Sequence, residues 1–156
     1  MRNRKKGFSL IELLVVVAII MVIVAMAIPN VLGTRMTANE TSAVNSLSTL
    51  NSASLTYLTI YGGYPPNLTS LGPGPTPGPT ASDLIDSVLS AGAKSGYMFL
   101  YTPGEKDPAG HVNTYTIKAE PASPGTTGRR SFFTDQSGVI RSNTAGPADV
   151  TSTPIS

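Results

Sequence analysis

Glu12 makes the sharpest chemical demand in this chain. It is the one acid between Phe8 and Ile28, and apart from Ser9 the rest of that run, FSLIELLVVVAIIMVIVAMAI, is apolar. A carboxylate in oily surroundings is costly unless a positive group meets it. Four residues before it stands a Gly7–Phe8 junction, and ahead of that lie Arg2, Arg4, Lys5 and Lys6. Those four of the eleven basic residues account for the apparent basicity; without them seven bases face nine acids, a balance of −2. The pI near 9.0 is therefore a topology signal and not a binding surface. Basic residues flanking an apolar span stay cytoplasmic, which sends the C-terminal part outward.

Other residues with chemical potential form no comparable device. His111 is the single histidine, so no multi-histidine metal site or histidine-bearing dyad network can be built on it. Asp107, Asp135 and Asp149 are candidate calcium ligands, but residues 135–138 lack the alternating carboxylates of an EF-hand loop, and a plain turn is expected there. Arg129, Arg130 and Arg141 lie close in sequence to Phe132 and Phe133, the mixture of basic and aromatic groups that single-stranded nucleic acid favours. A solvated sheet edge protected from aggregation accounts for the same residues, so no nucleic-acid partner is assigned. Asn39–Glu40–Thr41 and Asn67–Leu68–Thr69 match the N-glycosylation pattern, which also arises by chance. No nucleophile–base pair, phosphate loop or dinucleotide fingerprint stands out, so the chain is read as no enzyme, with no cofactor and no metal. With no cysteine there is neither a disulfide framework nor a thiolate site.

The elements that must position Glu12 follow from the pattern around it. Residues 8–28 are 21 in number. As a helix they span roughly 31 Å, the thickness of a bilayer's hydrocarbon core. Pro29 interrupts the run, Gly33 follows one turn later, and the pattern then becomes amphipathic. Val44, Leu47, Leu50, Ser54, Tyr57, Leu58 and Tyr61 recur at spacings of three and four, and Gly62–Gly63 with Pro65–Pro66 supplies the stop. One long helix over residues 8–61, bent near Pro29 and Gly33, is predicted. Residues 72–80, GPGPTPGPT, favour an extended, solvated strap. A short helix is expected between an N-cap at Ser82 and Gly92. Strands are expected over 97–102, 114–120, 130–134 and 139–142, the last two joined by a tight turn at 135–138. Phe99, Tyr101, Tyr115, Ile117, Phe133 and Ile140 would then cover the helix stripe. The fold class is α+β: a long bent N-terminal helix, membrane-spanning in its first half, packed on a small antiparallel sheet of three to four strands. The tail, 143–156, has few large apolar residues and is expected to be mobile.

Residues 7–20, GFSLIELLVVVAII, together with the basic leader and Pro29, resemble the N-terminal signature of type IV pilins and the related pseudopilins of type II secretion. That resemblance implies cleavage at Gly7–Phe8 by a membrane prepilin peptidase that then methylates the Phe8 amine. Glycine suits such a junction because it imposes no side-chain bulk. The new amine and the Glu12 carboxylate would lie about one helical turn apart, and a neighbouring subunit's Glu12 could pair with it during assembly. The resemblance divides the chain into a leader (1–7), a transmembrane and filament-core helix (8–28), an extracytoplasmic head (29–142) and the tail (143–156). It implies a structural subunit of a helical homopolymer whose partners are itself, the peptidase and methyltransferase, an assembly platform and, before assembly, membrane lipid. The subunit would sit once through the cytoplasmic membrane, N-terminus inside, and then in a periplasmic or cell-surface filament. Residues 29–33 match the stretch that loses helical order in assembled pili. Residues 101–104 and 131–141 resemble the sheet of cysteine-free pilin-like subunits. A pseudopilin of protein export is the alternative reading. A soluble domain released by cleavage after Ala27, within the A-x-A pattern Ala25–Met26–Ala27, is a further one.

Overall fold

The computed structural model describes residues 8–155. Its first element is α1, Leu10–Tyr61, 52 residues of helix that continue through Pro29. Contacts divide the chain between Arg35 and Met36, and the C-terminal unit holds the folded head.

Within the head, α1 buries Met36, Glu40, Ala43, Leu47, Leu50, Ser54 and Tyr57. Their spacings alternate strictly between four and three, so they line one face of a helix. Val44, Leu58 and Tyr61, also expected on that stripe, flank it half-buried. The helix ends where Gly62 turns left-handed (φ 79°) and donates its amide to the Leu58 carbonyl at 2.9 Å. Glycine reaches that conformation at no steric cost, as a helix C-terminus requires.

The stripe packs on a six-stranded antiparallel sheet whose strands neighbour one another in chain order. They are β1 (Ala93–Lys94), β2 (Tyr97–Pro103), β3 (Tyr115–Pro121), β4 (Ser131–Asp135), β5 (Arg141–Asn143) and β6 (Thr153–Pro154). The four strands predicted correspond to β2–β5, and the two at the edges are too short to leave a pattern. Residues 135–138 make the expected turn: the Gly138 amide bonds the Asp135 carbonyl at 2.9 Å, with Gly138 at φ 76°.

Three local expectations are corrected. The aromatic residue on the core face of β4 is Phe132 and not Phe133. Phe132 is opposite the buried Ala119, whereas Phe133 is opposite Lys118 on the other face. Phe133 is nonetheless buried, and it shares a cleft with Asp149 and Val150 of the tail. That tail is not loose: Thr153 pairs with Ser142, Ala148 is buried, and Arg141 donates to the Ser152 carbonyl at 3.2 Å. Backbone pairing and one small apolar residue hold it where composition suggested mobility. Finally, Ser82 caps no helix. Residues 82–85 give their amides back to Ser70, Leu71 and Gly72 at 2.9–3.0 Å, so the helix, α2, is only Ser87–Ser90, capped by Asp86. The strap at 72–80 is solvated as expected, Gly72 and Gly78 apart, but it is not extended throughout. It bends at Pro75–Thr76 and ends in a turn where Gly78 and Ala81 exchange backbone hydrogen bonds at 2.9 and 3.1 Å.

Candidate functional site

Phe8 and Ser9 precede the first turn of α1, and the Ser9 carbonyl accepts the amides of Glu12 at 3.1 Å and Leu13 at 3.2 Å. Glu12 thus sits in the first turn, where unpaired helix amides concentrate positive charge and a carboxylate is stabilised. Gly7 and the basic leader lie outside the described residues.

Around Glu12 the chain is apolar and uncovered. Phe8 is 75% exposed, Leu10 82%, and even the least exposed large side chain of the segment, Val17, is 42% exposed. The helix is long and apolar enough to cross a membrane by length and composition. Burial of one such side chain is worth about 1.5–3 kcal/mol, so a run of them is not left in water. It must be covered by lipid or by other chains.

Pro29 lies within α1 and has no amide hydrogen, so the Ala25 carbonyl lacks its ordinary helical donor. Gly33 follows, and a Cβ placed on it would meet nothing within 4 Å. The helix is therefore locally weakened at two places, four residues apart.

The head has a second acid that sequence reasoning passed over. Glu40 is 8% exposed. It accepts the Arg129 amide at 2.8 Å, the Arg130 amide at 3.2 Å and the Arg130 Nε at 2.8 Å. Burial raises its pKa, but these backbone and guanidinium donors outweigh it and hold the carboxyl below the ordinary range. Beside it the Asn39 amide donates to the Thr127 carbonyl at 2.9 Å, and the Tyr97 hydroxyl to the Arg130 carbonyl at 2.7 Å. Burial, and next the Glu40 charge, push the Tyr97 phenol up to about 12. Together these bonds tie the β3–β4 loop to α1 and, through Tyr97, to β2. The only hint in the sequence was the spacing of Glu40 from Leu47, Leu50 and Ser54 on one helix face.

The other candidates are accounted for by the clamp and by local bonds elsewhere in the head. Arg130 is bound to Glu40 and lies over the Phe132 ring at 5.4 Å, and Arg141 is turned to the tail, so the three arginines do not form one basic surface. Both glycosylation-pattern asparagines are used internally, Asn39 in the clamp and Asn67 as the cap of a 3-10 turn over Leu68–Leu71. Asp107, Asp135 and Asp149 each accept nearby backbone amides within their own turns. Among the described residues no group of three or more histidines and acids could hold a metal ion.

Comparison with known proteins points to the N-terminal segment as well. Residues 2–28 match the family model described as the prokaryotic N-terminal methylation motif. Over 98 residues the chain is 40% identical to the type IV wide pilus major component PilA4 of Thermus thermophilus, an alignment covering 61% of this chain and 71% of that protein. No solved structure matches.

Proposed function

This chain belongs to the type IV pilin family, and from that premise we propose how it does its work as a structural subunit of a pilus. The carrying observation is an apolar helix, exposed over residues 8–26 and headed by Glu12, attached to a head that buries a core of its own. The head needs nothing further to be stable in water. The stalk needs a cover, first from lipid and later from the stalks of other copies. Exchange between the two is energetically modest, because packed helices replace lipid tails of similar polarity.

Cleavage between Gly7 and Phe8 frees an amine next to the start of α1, and its methylation at Phe8 keeps the positive charge. Glu12 is the partner for that amine, most effectively the amine of a neighbouring copy. In an apolar filament core an uncompensated charge is costly, so the pair rejects wrong registers as well as stabilising the right one. Pro29 and Gly33 supply the weak point at which the helix yields when stalks pack. Before assembly the chain spans the cytoplasmic membrane once, with its basic leader inside. The prepilin peptidase and an assembly platform are the partners this route requires. An export pseudopilin would use the same residues, and no observation favours it.

The test is the mature N-terminus of the protein recovered from surface filaments. A chain that begins at methylated Phe8 supports the reading. A chain that begins at Ile28, or a mature chain that never polymerises, overturns it.

A further inference from the structure

Five of the six tyrosines gather in one region of the head. The Tyr57 and Tyr61 rings lie 4.5 Å apart, Tyr64 and Tyr115 4.7 Å, and Tyr101 stacks on Tyr115 at 5.5 Å. Tyr57, Tyr61 and Tyr64 wall a cleft of about 260 Å³, rimmed by Pro79, Lys106 and His111. The Tyr57 hydroxyl is committed, donating to the Pro79 carbonyl at 2.6 Å. The Tyr61 and Tyr64 hydroxyls and the Lys106 ammonium have no hydrogen-bond partner among the described residues.

Half-exposed tyrosine rings with free hydroxyl donors are the surface on which extended proline-rich segments dock. The rings cover the pyrrolidines, and the donors take carbonyls that a polyproline helix leaves unpaired. Within its own chain the cleft already shows the second of these contacts, since Tyr57 donates to the carbonyl of Pro79 in the turn that Gly78 and Ala81 close. The chain also carries a larger supply of the same chemistry. Pro73, Pro75 and Pro77 of the strap are exposed. The base of the strap is fixed by the Ser82 amide on Ser70 and the Asp83 amide on Gly72, each at 2.9 Å. Each proline fixes its own φ, so ordering the strap on a partner costs less entropy than ordering a freely rotating segment, although the strap bends at Pro75–Thr76 in the single chain. A cleft this small suits a few residues of such a segment better than a larger ligand.

We propose that the tyrosine cleft of one copy receives the exposed Pro-Gly strap, residues 73–77, of a second copy, making a contact between heads in the polymer. This rests on the reading of the chain as a polymerising subunit. The Tyr61 and Tyr64 hydroxyls and Lys106 take the incoming carbonyls, and the rings stack on its prolines.

Because the chain has no cysteine, a single introduced thiol is unique. Full-length copies carrying Thr76→Cys and copies carrying Lys106→Cys are co-expressed, and their mixed filaments are oxidised. A disulfide-linked dimer is expected from mixed filaments and is expected to be missing from filaments of either variant alone, since the bond needs Cα atoms within about 7 Å. Mixed filaments that form normally yet give no dimer overturn the proposal and leave the subunit reading intact. If the unsubstituted chain makes no filaments, it is the subunit reading that has failed. If the thiols themselves block assembly, the double variant Tyr61→Phe/Tyr64→Phe decides. Filaments of that variant should come apart at a lower temperature than the parent's while the head's own melting is unmoved. Equal filament stability overturns the proposal.

Discussion

Two glutamates, 28 positions apart in the sequence, are held by opposite logic. Glu12 is exposed in an isolated chain, and in the proposed route it acts only when apolar surroundings close over it. Glu12→Ala should therefore leave cleavage at Phe8 intact and remove most of the filament yield, read by mass spectrometry of the N-terminus and by recovery of surface filaments. Normal yield would show that the amine needs no such partner. Glu40 is already buried and satisfied, with three donors from Arg129 and Arg130. Glu40→Ala leaves two backbone amides and a guanidinium without their acceptor and should cost about 2–3 kcal/mol, measured by chemical denaturation. The pH dependence has a definite sign. Glu40 is lowered from 4.5 on folding, so its contribution is complete above that value and is lost as pH falls through the lower, folded-state pKa. The stability gap between the parent and Glu40→Ala should thus be full at neutral pH and shrink in acid; a constant gap would mean that the carboxylate charge contributes nothing. Glu12 was legible in the sequence because an acid in an apolar run contrasts with everything near it. Glu40 was not, because its partner Arg130 is 90 residues away and its place on the buried helix face was the sole local sign.

At the scale of elements, the sequence revealed whatever is periodic and hid whatever depends on pairing. The helix stripe and the strands β2 and β3 repeat with the period of their own backbone and were visible for that reason, whereas β4 and β5 were found from the turn between them. The face of β4 was misassigned because Ser131 to Thr134 are all buried, so alternation has no contrast to read. The missed clasp of residues 82–85 onto 70–72 depends on backbone amides, which carry no side-chain signature. Two substitutions probe these elements. Ser95 occupies the first position of the β1–β2 turn at φ 51°, followed by Gly96 at φ 73°. A left-handed pair of that kind favours Asn-Gly, so Ser95→Asn should raise head stability by up to about 1 kcal/mol in denaturant melts, less whatever the Ser42 hydroxyl loses as its partner. Gly33→Ala meets no obstacle within 4 Å and should strengthen α1 by roughly 1 kcal/mol, visible as greater helicity in detergent. If the helix must yield at residues 29–33 for stalks to pack, the same substitution lowers filament yield. A rise in both helicity and yield would remove the softening from the assembly route.

For the whole molecule, the decisive property is how unevenly burial is distributed. Large apolar side chains are exposed along the stalk, whereas the head hides Leu47, Leu50, Ile117 and Phe132 completely. Every hydrogen bond of the Glu40 clamp, the strap base and the tail is made within the C-terminal unit, whose boundary falls at Met36. The stalk's insolubility in water is thus separable from the head's fold. A truncated chain of residues 36–156 should be soluble, monomeric and cooperative in thermal unfolding, as followed by size-exclusion chromatography and circular dichroism. The full chain should need detergent or aggregate. Two results would contradict this division of labour: a truncated head that is molten, meaning the core draws stability from the stalk, or one that polymerises unaided, meaning the stalk is not what drives assembly. Contacts between heads, including a strap seated in a tyrosine cleft, would then serve to refine a register that stalk packing has already selected. Their loss should weaken a finished filament without preventing its growth, which separates their effect from that of Glu12.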